Sequence, residues 1–268
     1  MLAARWQRET GQTVDLILQA GDLGCYPDAE RLDKATIRHA ERDPTELGFL
    51  NDFARSSPRI AALLADTTCP LVFVRGNHED QRWLDARERG VSGPIFSVDA
   101  YQRIWCLRTG VPYRFSRGAA SIQIVGVGRI GAKDGDPDVR RSVYIQPEEA
   151  RRLRMLGAAD APDLLLTHDS ARDEVTVGYG MHAIREFLDR WRPQYHIYGH
   201  TGKPCMLHAD SNGVTSALKL SDLNWRRDGA LETGVMAHLR WDGPDNHELS
   251  VIDAAWLNEY SRYGWHYR

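Results

Sequence analysis

Apolar segments that end in polar turns recur along the chain. Four short apolar runs occupy residues 14–19, 71–74, 163–167 and 195–198. Each has the length of a buried strand and is bounded by turn-forming residues, so the pattern predicts strands. The polar residues that follow these runs are, in order, Gly21-Asp22, Arg75-Gly76-Asn77-His78-Glu79, His168-Asp169 and Gly199-His200. Because open α/β sheets bind ligands at the carboxyl ends of their strands, these turns are the candidate functional positions.

Helices and further strands are predicted between these runs. Residues 2–10, 80–89, 147–156 and 182–191 are predicted to be helices. The segment from about 28 to 66 is predicted to be a mostly helical insertion, because its apolar residues recur at helical spacing. In the middle of the chain, turn residues separate short β-rich segments, which predicts antiparallel strands. These segments are residues 104–107, 113–115 and 122–127.

The last part of the chain adds strands and an aromatic tail. Strands are predicted at residues 214–218, 236–241 and 249–252. The aromatic tail covers about residues 253–268, and its residues 256–267 are expected to form a terminal helix. The chain shows no internal repeat or interdomain linker, so we expect one α/β domain over residues 1–268.

Composition limits the classes of partner. The 268 residues are 26% charged, and their formal net charge is -3, which gives no bulk attraction to nucleic acid. Cys25, Cys69, Cys106 and Cys205 are widely scattered, which indicates reduced thiols and a cytoplasmic location. No apolar stretch approaches the ~20 residues of a membrane span, so no membrane partner is expected.

Four residues in the turns have the chemistry of metal ligands. Asp22, Asn77, His168 and His200 offer a carboxylate, an amide oxygen and two imidazoles, and we expect them at the same edge of one sheet. Such a mixed oxygen and nitrogen set suits Mn, Fe, Zn or a similar divalent ion. Each residue also has an ordinary structural explanation, such as a turn cap for Asp22 or a satisfied buried imidazole for His200. Four such turns in one strand pattern favour a shared site.

The order of these motifs resembles the calcineurin-like metallophosphoesterase superfamily. The resemblance runs from about residue 12 to about residue 220 and includes four of the family's five motif blocks. It implies a four-layer α/β/β/α sandwich with two metals at the strand ends. It also implies that Asp22 is a bridging ligand, that Asn77, His168 and His200 complete a metal site, and that His78 is the general acid for the leaving oxygen.

Within the superfamily, the layout is most similar to the RNA lariat debranching enzymes. The shared features are the long helical insertion, the Leu166-Thr167-His168-Asp169 block and Gly178-Tyr179-Gly180 before a helix. Serine/threonine phosphatases share Arg-Gly-Asn-His-Glu, but their Gly-Asp-x-x-Asp-Arg-Gly block is not found here. Leu23-Gly24-Cys25-Tyr26-Pro27 follows Asp22 instead.

Two departures from the family pattern concern the metals. No Asp-x-His block precedes Asp22, so the sandwich is expected to lack its first strand, either because the true start lies upstream or because the block is lost. A missing first strand is expected to leave a gap at the sheet centre. Gly202 stands where many relatives have a second histidine. We therefore expect at least one divalent ion, held strongly, with Cys25 and His208 as distant candidates for a second site.

The expected activity is that of a metallophosphoesterase, a hydrolase that cleaves a phosphodiester or phosphomonoester by metal-activated water with His78 as general acid. The substrate would be a phosphate ester, including a nucleotide or a branched nucleic acid. The alternative is a noncatalytic or weakly active metal-binding relative with an incomplete first metal site. A hydrolase built on Ser170 or Cys25 is disfavoured, because no Gly-x-Ser-x-Gly elbow occurs. Substrate-binding residues and oligomeric state stay open.

Overall fold

The computed structural model describes residues 1–65, 67–136, 138, 141–262 and 264. The helices are α1 (Leu2–Thr10), α2 (Lys34–Ala40), α3 (Pro58–Ala65), α4 (Gln81–Glu88), α5 (Pro147–Met155) and α6 (His182–Trp191). The strands are β1 (Ile17–Gln19), β2 (Leu71–Phe73), β3 (Ile95–Ser97), β4 (Ile104–Leu107), β5 (Tyr113–Arg117), β6 (Ala120–Val127), β7 (Leu164–Thr167), β8 (Tyr195–Tyr198), β9 (Met206–Ala209), β10 (Ser216–Lys219), β11 (Ala237–Trp241) and β12 (His247–Val251). Short 3-10 helices lie at Ala29–Arg31, Pro44–Leu47, Ala158–Asp160 and Ala255–Glu259, and a π-helical turn lies at Phe49–Phe53.

The strands form two large sheets and a separate hairpin. One sheet has the order β1-β2-β4-β3 and the other the order β5-β6-β7-β8-β10-β9, while β11 pairs with β12. The strands that precede the candidate ligands are parallel pairs, β1 with β2 and β7 with β8. Their carboxyl ends therefore point the same way within each sheet.

The two large sheets and the helices that cover them form four layers. Val72 and Val74 of one sheet pack with Leu164 and Leu166 of the other in a shared core. The intervening residues face outward, because successive side chains of a strand point to opposite faces. Leu165 packs with α5 and α6, and Phe73 packs with Leu84 of α4 and with the insertion. The layers are therefore helices, sheet, sheet and helices, as expected from the family resemblance.

Local sequence signals account for the helix boundaries. Pro147 is the first residue of α5, where its missing N–H costs nothing. The Gln146 N–H donates to the Glu149 carboxylate, at 2.9 Å, and so fixes the same end. Helix α6 ends at Trp191, because the next residue, Arg192, has a φ of 48° in the left-handed region and stops the helix. The predicted helix over residues 182–191 is confirmed in both bounds.

Several sequence expectations need correction. The predicted antiparallel arrangement holds for β5 and β6, but β4 pairs in parallel with β2 and antiparallel with β3. The expected gap at a sheet centre is wrong for the described residues, since both large sheets are continuous and β1 lies at an edge. The first predicted strand is shorter than residues 14–19, because only Ile17–Gln19 pairs with β2.

The aromatic tail is only partly within the described residues. Its described part forms the 3-10 helix Ala255–Glu259 rather than the expected longer helix. Residue 263 and residues 265–268 lie outside the described residues. The organisation as one domain over residues 1–268 stays a prediction.

The cysteines and the helices bear on cellular location. The four cysteines are unpaired thiols, and three of them are buried. Within the part of the chain that the structure describes, no helix is long and apolar enough to cross a membrane. The cytoplasmic location stays a prediction.

Candidate metal centre

The structure brings the four predicted ligands together. The carboxylate of Asp22 and one ring nitrogen each of His168 and His200 lie within 4.8 Å of one another. The amide oxygen Oδ1 of Asn77 lies 3.0 Å from His168 Nε2. Side chains from four distant segments therefore surround one point. The donor chemistry and the spacing fit a divalent cation.

The ligands come from two sheets, which corrects the expectation of one sheet. Asp22 and Asn77 follow β1 and β2 in the four-stranded sheet. His168 and His200 follow β7 and β8 in the six-stranded sheet. The site therefore lies where the carboxyl ends of two facing sheets meet.

Two glycines allow the ligand turns to approach one another. A Cβ at Gly21 would lie 2.3 Å from His168 Nδ1, and a Cβ at Gly76 would lie 2.0 Å from Asp22 Oδ1. Real Cβ atoms do not approach other atoms that closely, so a larger residue at either position would displace a predicted ligand. The glycines before Asp22 and Asn77 thus meet a packing requirement.

Two of the candidate ligands also have an unusual backbone. The φ angles of Asp22 and His200 are 54° and 63°, in the left-handed region that residues other than glycine rarely adopt. Such backbone strain concentrates at functional sites, where the surrounding fold maintains it. The turns therefore hold both side chains in a conformation that the local sequence alone does not favour.

Hydrogen bonding orients the ring of His168. Its Nδ1 lies 2.8 Å from the carbonyl oxygen of Ala20, which only accepts, so Nδ1 is the donor. The other nitrogen, Nε2, then faces Asn77 Oδ1 at 3.0 Å and Asp22 Oδ2 at 3.4 Å. Metal-binding histidines usually have such a backbone or carboxylate partner on the second nitrogen. Nε2 is therefore the nitrogen of His168 that faces the other candidate ligands.

Asp22 and His168 shift each other's protonation. Desolvation raises the pKa of Asp22, but the nearby His168 outweighs it and brings the pKa well below its ordinary value. Burial lowers the pKa of His168, but the Asp22 carboxylate outweighs it and raises the pKa to about 9. A bound cation would take the place of the proton that His168 holds, since a ligating imidazole is neutral.

Glu79 connects the two turns of the four-stranded sheet. Its carboxylate accepts the backbone N–H groups of Leu23 and Cys25, at 2.9 and 2.6 Å, and that of Gly76, at 3.3 Å. Burial raises the pKa of Glu79 to about 7. Because these bonds all come from the backbone of the two turns, Glu79 acts by fixing the turn of Asp22 against the turn of Asn77.

His78 lies beside the cluster and has a carboxylate partner. Its backbone N–H donates to Asp22 Oδ1 at 2.8 Å, and its ring Nδ1 lies 2.7 Å from Asp33 Oδ2. The same carboxylate accepts the Tyr26 hydroxyl at 2.8 Å and the Thr36 N–H at 2.7 Å. Asp33 caps the N-terminus of α2 and therefore orients His78 from within the helical insertion.

Sequence reasoning missed Asp33. Partial burial raises its pKa, but the hydrogen bonds from Thr36, His78 and Tyr26 outweigh burial and lower the pKa. Asp33 is therefore an anionic acceptor for the Nδ1 hydrogen of His78. The one local signal was its position before a helix, which predicts a cap and not a partner for a histidine 45 residues away.

Other candidates from the sequence lie outside the cluster. Cys25 is fully buried, and burial raises the pKa of its thiol well above the ordinary value, which makes it a poor nucleophile or ligand. His208 lies on β9, where its ring Nε2 is 3.0 Å from Glu174 Oε1. Ser170 is 2% exposed and also unsuited to attack a substrate. Among the described residues, the structure gives none of these three a place in the candidate metal cluster.

Fold and site together define a class of protein. Two facing sheets bring oxygen and nitrogen donors to one point at their carboxyl ends, which defines an α/β sandwich with a candidate metal site. The family model of calcineurin-like phosphoesterases matches residues 2–204, so the chain belongs to the calcineurin-like phosphoesterase family. This family binds divalent metals and acts on phosphate esters, and the ligand cluster gives this member a candidate site.

Solved structures match the chain at low sequence identity. The protein TT1561 of Thermus thermophilus has 17% identity and a TM-score of 0.49, over 92% of this chain and 90% of that chain. A Staphylococcus aureus protein described as a 5'-nucleotidase, in complex with alpha-ketoglutarate, has 13% identity and a TM-score of 0.36. That match covers 90% of this chain and 54% of the other. A search of curated proteins found no significant match. The similarity to lariat debranching enzymes stays a prediction.

Proposed function

We propose that this protein hydrolyses phosphate esters with a divalent cation held by Asp22, Asn77, His168 and His200. The observation that carries the proposal is the convergence of these four side chains from two sheets. A cation bound there would polarise a phosphoryl oxygen and lower the pKa of a bound water. The donor set suits Mn, Fe or Zn, and Mn is the first ion to test.

The protein's own groups supply the proton transfer. In hydrolysis, a water oxygen bonds to phosphorus and gives up a proton to solvent, while the bond from phosphorus to the ester oxygen breaks. His78 donates a proton to that departing oxygen and regains one from solvent. The Nδ1–H of His78 donates to Asp33 Oδ2, with 2.7 Å between the two heavy atoms. The proton available for transfer is therefore the one on Nε2. His78 is the catalytic acid and Asp33 is its positioning residue.

The first experiment separates an enzyme from a metal-binding relative. Diphenyl phosphate and phenyl phosphate, whose departing phenolate is basic enough to need a proton, are assayed with added Mn, and the metal content of each variant is measured by elemental analysis. We expect His78→Ala to lose about a hundredfold or more in turnover while it retains Mn. His182→Ala, at an exposed histidine at the start of α6, is the matched control.

Each outcome of this assay has a distinct meaning. Asn77→Ala is expected to lose both the metal and the activity. Turnover of His78→Ala equal to that of the wild type would contradict the proposed acid. Mn bound at a stoichiometric level without turnover of either ester would support the noncatalytic relative instead.

The role of Asp33 has its own test. We expect Asp33→Asn to lower kcat about tenfold with little change in KM, because the ring of His78 loses its anionic acceptor. The pH profile of kcat should change as well, and Asp33→Glu should restore part of the activity. Asp28→Asn changes a cap of the preceding 3-10 helix and serves as the control. An unchanged kcat and pH profile in Asp33→Asn would exclude a positioning role.

A further inference from the structure

A cleft of about 500 Å³ opens beside the candidate metal centre. It begins at Asn77 and His78 and runs between the helical insertion and the loop before α5. Its volume lies within the range of about 300–1,000 Å³ typical of small-molecule sites. The charged residues that line it are Arg31, Asp33, Lys34, Glu79, Asp80, Arg82 and Arg141. An ester whose scissile phosphate lies at the metal centre would extend into this cleft.

The carboxylates of the cleft already have partners. Asp33 bonds His78 and Tyr26, and Glu79 accepts backbone N–H groups. Asp80 is paired with Arg31 and also accepts the N–H of Trp83 at 2.9 Å. None of the three carboxylates therefore neutralises a further cation in the cleft.

Three cations of the cleft lack such a partner. Within the described residues, Lys34, Arg82 and Arg141 have no carboxylate within 4.0 Å, and all three are exposed. The Arg141 guanidinium lies 5.7 Å from the ring centroid of Tyr144, which steadies it beside the cleft. These cations come from α2, α4 and the loop before α5, so three separate elements contribute positive charge to one cavity. The chain as a whole has a net charge of -3, which makes this cleft a local exception.

We propose that the substrate has a second phosphate group, apart from the scissile one, that binds Lys34, Arg82 and Arg141. This inference rests on the proposed phosphoesterase function and names its substrate class. Phosphate oxygens form short, charge-assisted hydrogen bonds with guanidinium and ammonium groups. The cavity volume suits a ligand of nucleotide size. The lack of a basic excess over the whole chain favours a small bisphosphorylated molecule over a long nucleic acid.

A binding measurement tests the second phosphate without relying on turnover. Thymidine 3',5'-bisphosphate and thymidine 5'-monophosphate differ only by one phosphate, and calorimetry compares their affinities for the Mn-loaded and the metal-free protein. We expect the wild type to bind the bisphosphate about tenfold or more tightly than the monophosphate. High salt should reduce that preference, because exposed cations are screened. Equal affinity for the two nucleotides would overturn the inference.

Variants locate the preference in the cleft. In the double variant Lys34→Ala with Arg141→Ala, the affinity ratio of the two nucleotides should approach one. Arg82→Gln, which removes one positive charge and keeps a polar side chain, should reduce it in the same direction. Arg38→Ala, at an exposed arginine on the same helix as Lys34, is the matched control and should keep the wild-type ratio. A ratio unchanged in both cleft variants would place the second phosphate elsewhere and overturn the assignment.

Parallel assays separate this inference from the proposed function. The p-nitrophenyl esters of the same two nucleotides, esterified at the 5'-phosphate, report turnover. A preference in binding without hydrolysis of either ester would support the cleft site and contradict the phosphoesterase proposal. Hydrolysis of both esters with equal kcat/KM and equal binding would support the activity and overturn the second-phosphate site. Tighter binding of a short oligothymidylate than of the bisphosphate would overturn the nucleotide-sized class.

Discussion

At the scale of residues, the candidate ligands lie in tightly packed turns with strained backbone. Asp22 and His200 both have φ in the left-handed region, and Gly76 leaves no room for a side chain against Asp22. A residue in this conformation costs about 1–2 kcal/mol relative to right-handed backbone. The fold maintains these conformations because the neighbouring turns are in contact. Ligand geometry is therefore sensitive to single atoms in the glycine turns.

Gly76→Ala tests this sensitivity. The new Cβ would lie 2.0 Å from Asp22 Oδ1 and 2.3 Å from the Asp22 nitrogen, so the Asp22 turn must move. We expect a loss of about 1–3 kcal/mol of stability and weaker Mn binding, measured by urea unfolding and calorimetry. Gly48→Ala is the control, since Gly48 has a φ of -57° and a methyl group added there would have no atom within 4 Å. Equal effects of the two substitutions would contradict the packing argument.

At the scale of elements, strand β8 precedes His200 and also carries His196, which bonds it to the neighbouring strand β7. Its His196 is fully buried, and Nε2 lies 2.9 Å from the Thr167 hydroxyl of β7. That hydroxyl donates to the Asp169 carbonyl at 2.6 Å, so it accepts from His196. Burial lowers the pKa of His196 to about 3, despite the nearby Asp210. The imidazole is therefore neutral in the folded protein and ties β8 to β7.

The buried His196 gives the fold a specific acid sensitivity. The unfolded chain binds a proton at this residue below pH 6.5, whereas the folded protein does so only near pH 3. Stability should therefore fall as the pH drops below 6.5, by up to about 1.4 kcal/mol per pH unit from this residue. Urea midpoints at roughly pH 7 and roughly pH 5 should differ less in His196→Gln than in the wild type. His39→Gln, at an exposed residue of α2, should keep the wild-type difference. The same pH slope in His196→Gln would exclude this residue as the cause.

At the scale of the whole molecule, the candidate metal centre lies between the two large sheets. Asp22 and Asn77 belong to the four-stranded sheet, and His168 and His200 belong to the six-stranded sheet. Contacts among these side chains include the hydrogen bonds of His168 and its ring contact with His200, at the edge of a large apolar core. A bound cation would therefore act on global stability as well as on chemistry.

Metal removal should lower the melting temperature. A ligand at about a hundred times its Kd stabilises the folded state by about 2.7 kcal/mol, which corresponds to several degrees in a protein of this size. We expect Mn to raise the Tm of chelator-treated wild type, as measured by thermal denaturation. His200→Gln should lose that response. His208→Gln, at a histidine bonded to Glu174 outside the cluster, should retain it. A similar Mn response in all three proteins would place the binding site elsewhere.

The sequence alone determined the local features of this protein. Apolar runs with turn residues gave the strands that precede Asp22, Asn77, His168 and His200, and helical spacing gave helices such as residues 182–191. These features depend on the order of apolar and polar residues within a short segment, and that order can be read from the sequence of the segment itself.

Only the tertiary structure decided which strands share a sheet and what faces His78. An apolar strand has the same pattern in either sheet, so the pattern did not show that the ligands divide between two. Asp33 reaches His78 from an insertion 45 residues away, and the cations of the cleft come from three elements. Such contacts arise from the packing of segments that are distant in sequence. The local spacing of apolar residues does not specify how those segments are positioned relative to one another.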